Sequence, residues 1–246
     1  MSLRIQRNPT DPNQTSVEGH GCRVCLVRHL AVCTALPPDQ AEALEAMTGD
    51  THLRAGELLA REGEPRRYVF TVQSGALRRT RTLADGRRLV AGFLMQGDYI
   101  GFSGASHYRH TIEAITDASL CAVSQPGMRQ LCQTYPGLEH ELMERACIEL
   151  DATRDKLMAL ARMTPPERLA GFLVDMAARR ARQGLDDAVV ELPMTRTDIA
   201  DYLGLTIETV SRCFTRLRTD ALIATPEPHT VRLLDRDRLE ALAAAA

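Results

Sequence analysis

Three closely spaced cysteines are the residues of this sequence best suited to chemistry. Cys22, Cys25 and Cys33 follow one another with two and then seven residues between them, in a chain with seven cysteines in total. Thiolates at such short spacing can ligate a metal ion or form a redox centre, whereas a disulfide framework is typical of secreted proteins. Whether the protein is intracellular or secreted therefore decides between a metal or redox site and disulfide bonds.

The N-terminus favours an intracellular location. The segment from Met1 to Pro9 has no continuous apolar stretch that could serve as a signal peptide, and no segment reaches the roughly 18 apolar residues that a membrane helix needs. We therefore predict a cytoplasmic protein without membrane contact. Because thiols stay reduced in that compartment, we expect the three cysteines to be metal ligands or redox centres rather than structural disulfides.

The second group of candidate residues lies near the C-terminus, between Arg196 and Leu217. A short helix, a turn at Leu203-Gly204-Leu205 and a second helix after the N-cap Thr206 fit a helix-turn-helix. Gly204 can adopt the positive φ that the turn requires, and Val210 can anchor the second helix on the first. This spacing predicts a DNA-binding element.

The second helix has an apolar face and a polar face. Val210, Phe214 and Leu217 form the face that we expect to be buried. The candidate DNA-binding residues are Thr206, Glu208, Thr209, Ser211, Arg212, Thr215 and Arg216. Arg212 can donate two hydrogen bonds to guanine, and Glu208 can accept one from cytosine. Alternatively, these two side chains form only a local ion pair, which is worth about 0.2–0.5 kcal/mol.

The bulk properties fit a globular protein of two domains. The 246 residues are 44% hydrophobic and 25% charged, and their formal net charge is −2. This charge neither favours nor excludes DNA as a partner, so any basic surface must be local. The sequence has no Gly-rich phosphate loop, Ser/His/Asp arrangement or His-Glu-x-x-His motif, and we therefore predict that the chain is not an enzyme.

The elements that must position these residues follow one another along the chain. Residues 1–20 are polar and are expected to form a flexible tail. Residues 21–135 hold the cysteine segment and, from about Thr51 to Val123, short β-type runs separated by glycines. These runs, with a hairpin turn at Ala84-Asp85-Gly86, predict an antiparallel barrel or sandwich.

A long helix is predicted over residues 136–163. Its apolar or small residues recur at alternating gaps of three and four, and they are Met143, Ala146, Leu150, Thr153, Leu157 and Leu160. This seam predicts a parallel homodimer with Asp151 also at the interface, although a helix packed on its own domain has the same pattern. Asp151, Asp155 and Glu149 bring like charges near the seam and are expected to oppose dimerisation.

Residues 164–246 are predicted to form the DNA-binding domain. Thr164-Pro165-Pro166-Glu167 and Thr195-Arg196-Thr197-Asp198 are capping boxes that begin two helices, and Gly184 ends the first of them. The segment from Ala224 to Leu234 has the pattern of a short hairpin, which would be the wing of a winged helix-turn-helix. The predicted fold class is therefore α+β.

This order of elements, together with one stretch of sequence, resembles the Crp/Fnr family of bacterial transcription regulators. The stretch runs from Pro193 to Arg212 and reads PMTRTDIADYLGLTIETVSR. Within it, Glu208, Ser211 and Arg212 match the Glu-x-x-Ser-Arg pattern of the FNR branch. The resemblance implies an N-terminal β-roll like that of cyclic-nucleotide-binding domains, then a dimerisation helix and a C-terminal winged helix-turn-helix.

For the cysteines, the resemblance implies a [4Fe-4S] cluster. The N-terminal cysteines are most similar to those of the FnrL branch, and Cys121 aligns with the distant fourth cysteine of FNR-type proteins. Four thiolates suit such a cluster or a tetrahedral zinc ion, and metal-free or redox-active cysteines are a further alternative. Cys132, Cys147 and Cys213 lie outside this pattern in helical stretches, and we expect them to be small buried hydrophobic residues.

The resemblance also implies a function. It implies an oxygen-responsive regulator that is active as a homodimer while its cluster is intact, binds palindromic operators with TTGAT-like half-sites and contacts RNA polymerase. The alternatives are a cofactor-free FixK-like regulator and a cyclic-nucleotide-responsive one. We expect no cyclic nucleotide, because Gly101-Phe102 and Arg109-His110 depart from the nucleotide-binding pairs of that branch. His20 and His29 flank the cysteines and are not expected to be ligands.

Overall fold

The computed structural model describes residues 6–7, 21–22 and 25–244. The chain divides into two compact units, one of Met1–Arg81 with Ala91–Ile148 and one of Thr82–Val90 with Glu149–Ala246. Most of the predicted tail lies outside the described residues, but Gln6 and Arg7 form a strand that pairs with Asp50 and Gly49. Among the described helices, none is long and apolar enough to span a membrane.

Two sheets dominate the N-terminal part of the chain. Their strands are β1 (Gln6–Arg7), β2 (Thr48–Leu53), β3 (Leu58–Ala60), β4 (Tyr68–Ser74), β5 (Leu77–Thr82), β6 (Arg88–Leu94), β7 (Tyr99–Ile100), β8 (Thr111–Ala114) and β9 (Ala118–Ser124). One sheet has the order β1-β2-β9-β4-β7 and the other β3-β8-β5-β6. The predicted β-rich domain is confirmed.

Alternating burial along the strands explains how the sheets pack. In β2 and β8, half-buried or exposed residues alternate with buried ones, as a half-buried strand requires. The inward side chains form one core, which includes Leu59, Phe70, Val72, Leu77, Ile112 and Leu120. The turn after β4 needs a glycine, because Gly75 has a φ of +81° and a Cβ there would lie 2.3 Å from the carbonyl oxygen of Asp117.

A second core lies where the cysteine segment and the helices pack on the roll. The elements are a 3-10 turn (Val32–Ala35), α1 (Ala41–Glu45), α2 (Gln125–Thr134) and the beginning of α3 (Pro136–Arg162). Their shared core contains Val32, Leu36, Leu44, Val69, Val123, Met128, Leu131 and Leu138, with Cys22 and Cys33 packed against it. The predicted long helix is therefore present, and its first turns contact the cysteine-bearing part of the chain.

The second unit contains the rest of α3, four shorter helices and a small sheet. These elements are α4 (Pro165–Arg182), β10 (Val189–Glu191), α5 (Arg196–Leu203), α6 (Ile207–Thr219), β11 (Ile223–Glu227), β12 (Thr230–Leu233) and α7 (Arg236–Ala243). The sheet has the order β10-β12-β11, and the hairpin of β11 and β12 is the predicted wing. The α+β class with a C-terminal winged helix-turn-helix is confirmed.

Candidate functional site

The helix-turn-helix is fixed by local hydrogen bonds at the helix ends. Before α5, the Thr195 hydroxyl accepts from the N–H of Asp198 at 3.1 Å, while the Asp198 carboxylate accepts from the N–H of Thr195 at 3.1 Å. Gly204 ends α5 in the left-handed region at φ +65°, and Thr206 caps α6 by accepting from the N–H of Thr209 at 3.2 Å. Both predicted caps and the predicted glycine turn are present.

The two faces of α6 are separated as the sequence predicts. Val210, Phe214 and Leu217 are buried, and Cys213 is buried beside them. Six of the seven candidate DNA-binding residues are exposed, namely Thr206, Glu208, Ser211, Arg212, Thr215 and Arg216. Thr209 is half-buried, and its hydroxyl lies 3.1 Å from that of Thr206. The helix therefore presents a continuous polar face to solvent.

Glu208 and Arg212 do not form the local ion pair that was the alternative to base contacts. No ion pair of either residue occurs in the described part of the chain, whereas Arg216 lies 3.7 Å from Asp220 one turn further on. Hydrogen bonding from its own backbone N–H and from the Thr206 side chain lowers the pKa of Glu208, with a smaller contribution from Arg212. The Glu208 carboxyl and the Arg212 guanidinium are therefore both accessible on the exposed face of α6.

Arg196 contributes to α6 in a way that the sequence did not indicate. Its guanidinium lies 3.2 Å from the centre of the Phe214 ring, on the buried side of the helix. Burial, with a contribution from Arg218, lowers the pKa of Arg196 to about 10. In the sequence, Arg196 is recognisable only as part of a capping box, because a contact with Phe214 leaves no local pattern.

The four predicted ligand cysteines lie near one another in the first unit. Cys121 is on β9, opposite Asp50 of β2, while Cys22 and Cys33 pack against the second core. Burial raises the pKa of Cys121, and Cys22, Cys33 and Cys25 raise it further. Since charges act on one another in this way only at short range, the fold brings Cys121 to the three N-terminal thiols.

Burial and mutual repulsion govern the chemistry of these thiols. The pKa of Cys22 is raised to about 12 by burial, and by the neighbouring Cys33, Glu45 and Cys25. Burial also raises the pKa of Cys33, against a lowering by Arg28 and Arg145. A positively charged centre among the thiols would offset both burial and repulsion by stabilising the thiolates.

The backbone of the cysteine segment is held by charged side chains. The Glu45 carboxylate accepts from the N–H of Cys22 at 3.0 Å, and Arg28 donates to the carbonyls of Cys22 and Leu36. Among the described residues, no three His, Cys, Asp or Glu side chains converge on the position of a single metal ion. His29 is exposed, and His20 lies outside the described part of the chain.

Comparison with known proteins identifies the family. Residues 167–242 match the Crp-like helix-turn-helix domain, and residues 50–135 match the cyclic nucleotide-binding domain. The nitrogen fixation regulation protein FixK of Bradyrhizobium diazoefficiens is 36% identical over 92% of this chain and 95% of its own length. This chain belongs to the Crp/Fnr family. It is therefore a DNA-binding transcription regulator and not an enzyme.

Other members of the Crp/Fnr family are similar to this chain to a comparable degree. The transcriptional activator FnrL of Cereibacter sphaeroides is 33% identical over 89% of this chain and 90% of its own. The structure of FixK2 from Bradyrhizobium japonicum is 34% identical and has a TM-score of 0.75, covering 81% of this chain and 98% of that one. Both similarities extend over most of the two chains.

The predicted seam of this Crp/Fnr regulator lies only partly on the open side of α3. Met143, Leu150 and Leu157 are 63%, 49% and 62% exposed, and Asp151 and Thr153 are also exposed. Ala146 and Leu160 are half-buried within the chain; a Cβ on Gly204 would lie 3.2 Å from the Leu160 side chain. Asp151 forms an ion pair with Arg154 at 3.0 Å, which reduces the charge repulsion predicted for it.

Two further predictions about cysteines were wrong. Cys147 is exposed and Cys132 is only half-buried, whereas Cys213 is buried as expected. Cys147 belongs to the stretch of α3 whose surface is open, next to the exposed Ile148. A helical stretch by itself did not reveal which of its faces is covered.

Proposed function

We propose that this protein is an oxygen-responsive transcription regulator whose four cysteines hold a [4Fe-4S] cluster. The observation that carries the proposal is that Cys22, Cys25, Cys33 and Cys121, from two distant parts of the sequence, lie near one another in one half-buried region. Four cysteine thiolates are the usual protein ligands of such a cluster.

The surrounding residues would stabilise the bound state. When bound, the cluster supplies a centre that oxygen can destroy. Arg28 places positive charge close to both Cys33 and Cys22. Val32 and Leu36, both buried, limit access of water from the side of the second core. The positive charge of Arg28 would favour thiolates over thiols once the metal is present.

We further propose that the active form is a homodimer joined through α3. Met143, Leu150 and Leu157 recur at intervals of seven residues on one side of the helix and are exposed in the single chain, as a parallel seam requires. Two copies of α6 would then lie in successive major grooves about 34 Å apart on a palindromic operator. The Glu-x-x-Ser-Arg residues favour half-sites of the TTGAT type, and RNA polymerase is the expected further partner.

Operator binding with and without oxygen tests this proposal. The duplex carries a palindrome of TTGAT half-sites, and a scrambled duplex of the same length is the control. We expect anaerobically reconstituted protein to bind the palindrome at least about tenfold more tightly than the same protein after air, in the usual range of allosteric coupling. Equal affinity in both conditions would overturn the oxygen-responsive part of the proposal.

A cofactor-free regulator is the second candidate, because a FixK protein and the FixK2 structure are both similar to most of this chain. Such a protein would bind the palindrome equally well in air and would take up no iron. We do not propose a cyclic nucleotide as the signal. Arg109 is exposed, and the Phe102 ring packs 4.8 Å from the ring of Tyr99.

A further inference from the structure

Besides the packing of Leu138 in the second core, a hydrogen bond from the charged side chain of Arg145 connects α3 to the cysteine segment. Arg145 donates from Nη1 to the carbonyl oxygen of Leu30 at 2.8 Å, and its Nε donates to the Glu141 carboxylate at 2.6 Å. The Arg145 and Glu141 side chains are 25% and 23% exposed. The guanidinium is thus held in place by its own helix while it binds a carbonyl that lies 115 positions earlier in the sequence.

Leu30 is also held from the side of the roll. A Cβ on Gly97, in the turn between β6 and β7, would lie 2.7 Å from the Cβ of Leu30, so glycine permits this close approach. The Gly97 N–H donates to Val72 of β4 at 2.9 Å, which fixes the turn against the sheet. Leu30 therefore lies between a fixed turn of the roll and the side chain of Arg145.

The position of Leu30 in the sequence shows which two parts of the chain this contact connects. Leu30 lies between Cys25 and Cys33, so the path of the chain between two candidate ligands determines where its carbonyl points. Arg145 lies two residues after Met143, the first residue of the proposed seam. One hydrogen bond therefore joins the segment that would hold the cluster to the helix that would form the dimer.

We propose that Arg145 is a positioning residue: through it, the cysteine segment holds α3 in the position that favours dimerisation. This inference rests on the proposed function for its regulatory meaning. With four cysteines tied to one group, the Leu30 carbonyl is fixed and the bond to Arg145 persists. Without the group, the segment is free to move and the bond forms less often. A ligand shifts an equilibrium only through contacts that differ between two states, and this contact is one that differs.

Sedimentation of the full chain without oxygen tests the role of Arg145. The variants are Arg145→Met, which keeps the apolar stem, Arg145→Lys, which keeps the charge, and the matched control Arg162→Met, an exposed arginine of the last turn of α3. For each, the dimer association constant is measured with and without the cluster, together with iron content. We expect Arg145→Met to keep its iron. The factor by which the cluster increases its dimer association constant should, however, be about tenfold smaller than in the wild type, as for loss of a charge-assisted hydrogen bond. Arg145→Lys should retain part of the gain, and Arg162→Met should retain it all.

Two outcomes of this experiment overturn the inference. An unchanged gain in Arg145→Met shows that α3 does not depend on the contact. A loss of iron in the same variant assigns Arg145 to cluster retention rather than to positioning of the helix.

Hydrogen exchange of the iron-free chain gives a second readout that does not need the cluster. Because the bond forms only part of the time without the cluster, peptides covering residues 26–36 should exchange about twofold faster in Arg145→Met than in the wild type or in Arg162→Met. Equal exchange overturns the inference. If the wild type takes up no iron at all, the proposed function fails, but the exchange rates still decide whether Arg145 holds the segment.

Discussion

The buried carboxylate of Asp198 lies 2.8 Å from the guanidinium of Arg88. Asp198 has no solvent exposure and also caps α5, while Arg88 binds Asp201 as well, at 2.8 Å. Both partners belong to the second unit, because residues 82–90 pack with the helix-turn-helix domain. Since a buried carboxylate is costly without a partner, this pair accounts for a charged residue inside the helix-turn-helix.

We predict that Arg88→Met destabilises the protein. Asp198 would lose its ion pair with Arg88, so the free energy of unfolding should fall by about 2 kcal/mol. The usual cost of breaking a buried pair is larger, but Arg88 is partly exposed. Urea unfolding measures this change. The control is Arg87→Met, whose exposed ion pair with Asp85 should contribute at most about 1 kcal/mol. Equal effects of the two substitutions would show that the Asp198 pair is not structural.

Arg212→Ala should remove sequence discrimination without changing the fold. Arg212 is exposed on the polar face of α6 and has no ion pair within the described residues, so its loss costs the folded chain little. If it pairs with guanine, binding to the palindrome should weaken by about 1–3 kcal/mol while binding to a scrambled duplex changes much less. Fluorescence anisotropy on both duplexes measures the difference. Arg238→Ala, on the exposed side of α7, should alter neither, and a uniform loss on both duplexes would make Arg212 a phosphate contact instead.

The raised pKa of Cys22 predicts how the stability of the iron-free, reduced chain depends on pH. Burial, then the charge of Cys33, raises this pKa from 9.0 to about 12, so the folded chain keeps a proton that the unfolded chain releases. The stability that the protonated Cys22 thiol contributes to the folded chain is fully present below about pH 9 and is lost as the pH rises towards 12. Between pH 8 and 10, Cys22→Ser should therefore lose less stability than the wild type, by up to about 1 kcal/mol. The variant Cys147→Ser, at an exposed position, should follow the wild type. Identical pH profiles for all three proteins would contradict the half-buried position of Cys22.

Leu157→Ala should weaken the dimer but not the folded monomer. Leu157 and Met158 are 62% and 65% exposed, yet they point about 100° apart around α3, and only Leu157 belongs to the proposed seam. We expect Leu157→Ala to lower the association constant of the cluster-bound protein at least about tenfold, and Met158→Ala to change it much less. Sedimentation at several protein concentrations compares them. A stronger effect of Met158→Ala would move the interface to another side of the helix.

Local patterns account for what could be predicted from the sequence. The capping boxes at Thr164 and Thr195, the left-handed Gly204 and the buried Val210, Phe214 and Leu217 all depend on residues within one or two helical turns. The short strands and the turn at Gly86 are local in the same sense. These features were sufficient for the fold class and for the polar face of α6.

Contacts between distant residues account for what could not be predicted. No spacing rule joins Arg88 to Asp198 or Arg145 to Leu30, which are 110 and 115 positions apart. Cys121 was assigned from family resemblance alone, because nothing in its own neighbourhood marks a ligand. Periodicity also could not tell that Ala146 and Leu160 turn towards their own chain, since both sides of α3 carry apolar residues. The one sign in the sequence was that the acidic Asp198 directly precedes the apolar Ile199 and Ala200, a position at which a carboxylate would need a basic partner.

The central claim is that the four cysteines hold a [4Fe-4S] cluster, and an anaerobic absorption spectrum with iron and sulfide analysis tests it most directly. Wild type and the exposed-cysteine control Cys147→Ser should both contain about four irons per chain, with a broad visible absorption that bleaches in air. Cys22→Ser and Cys121→Ser, prepared in the same way, should take up far less iron. Wild-type protein that stays colourless and iron-free after anaerobic reconstitution, or a Cys121→Ser variant that loads as well as the control, would contradict the account.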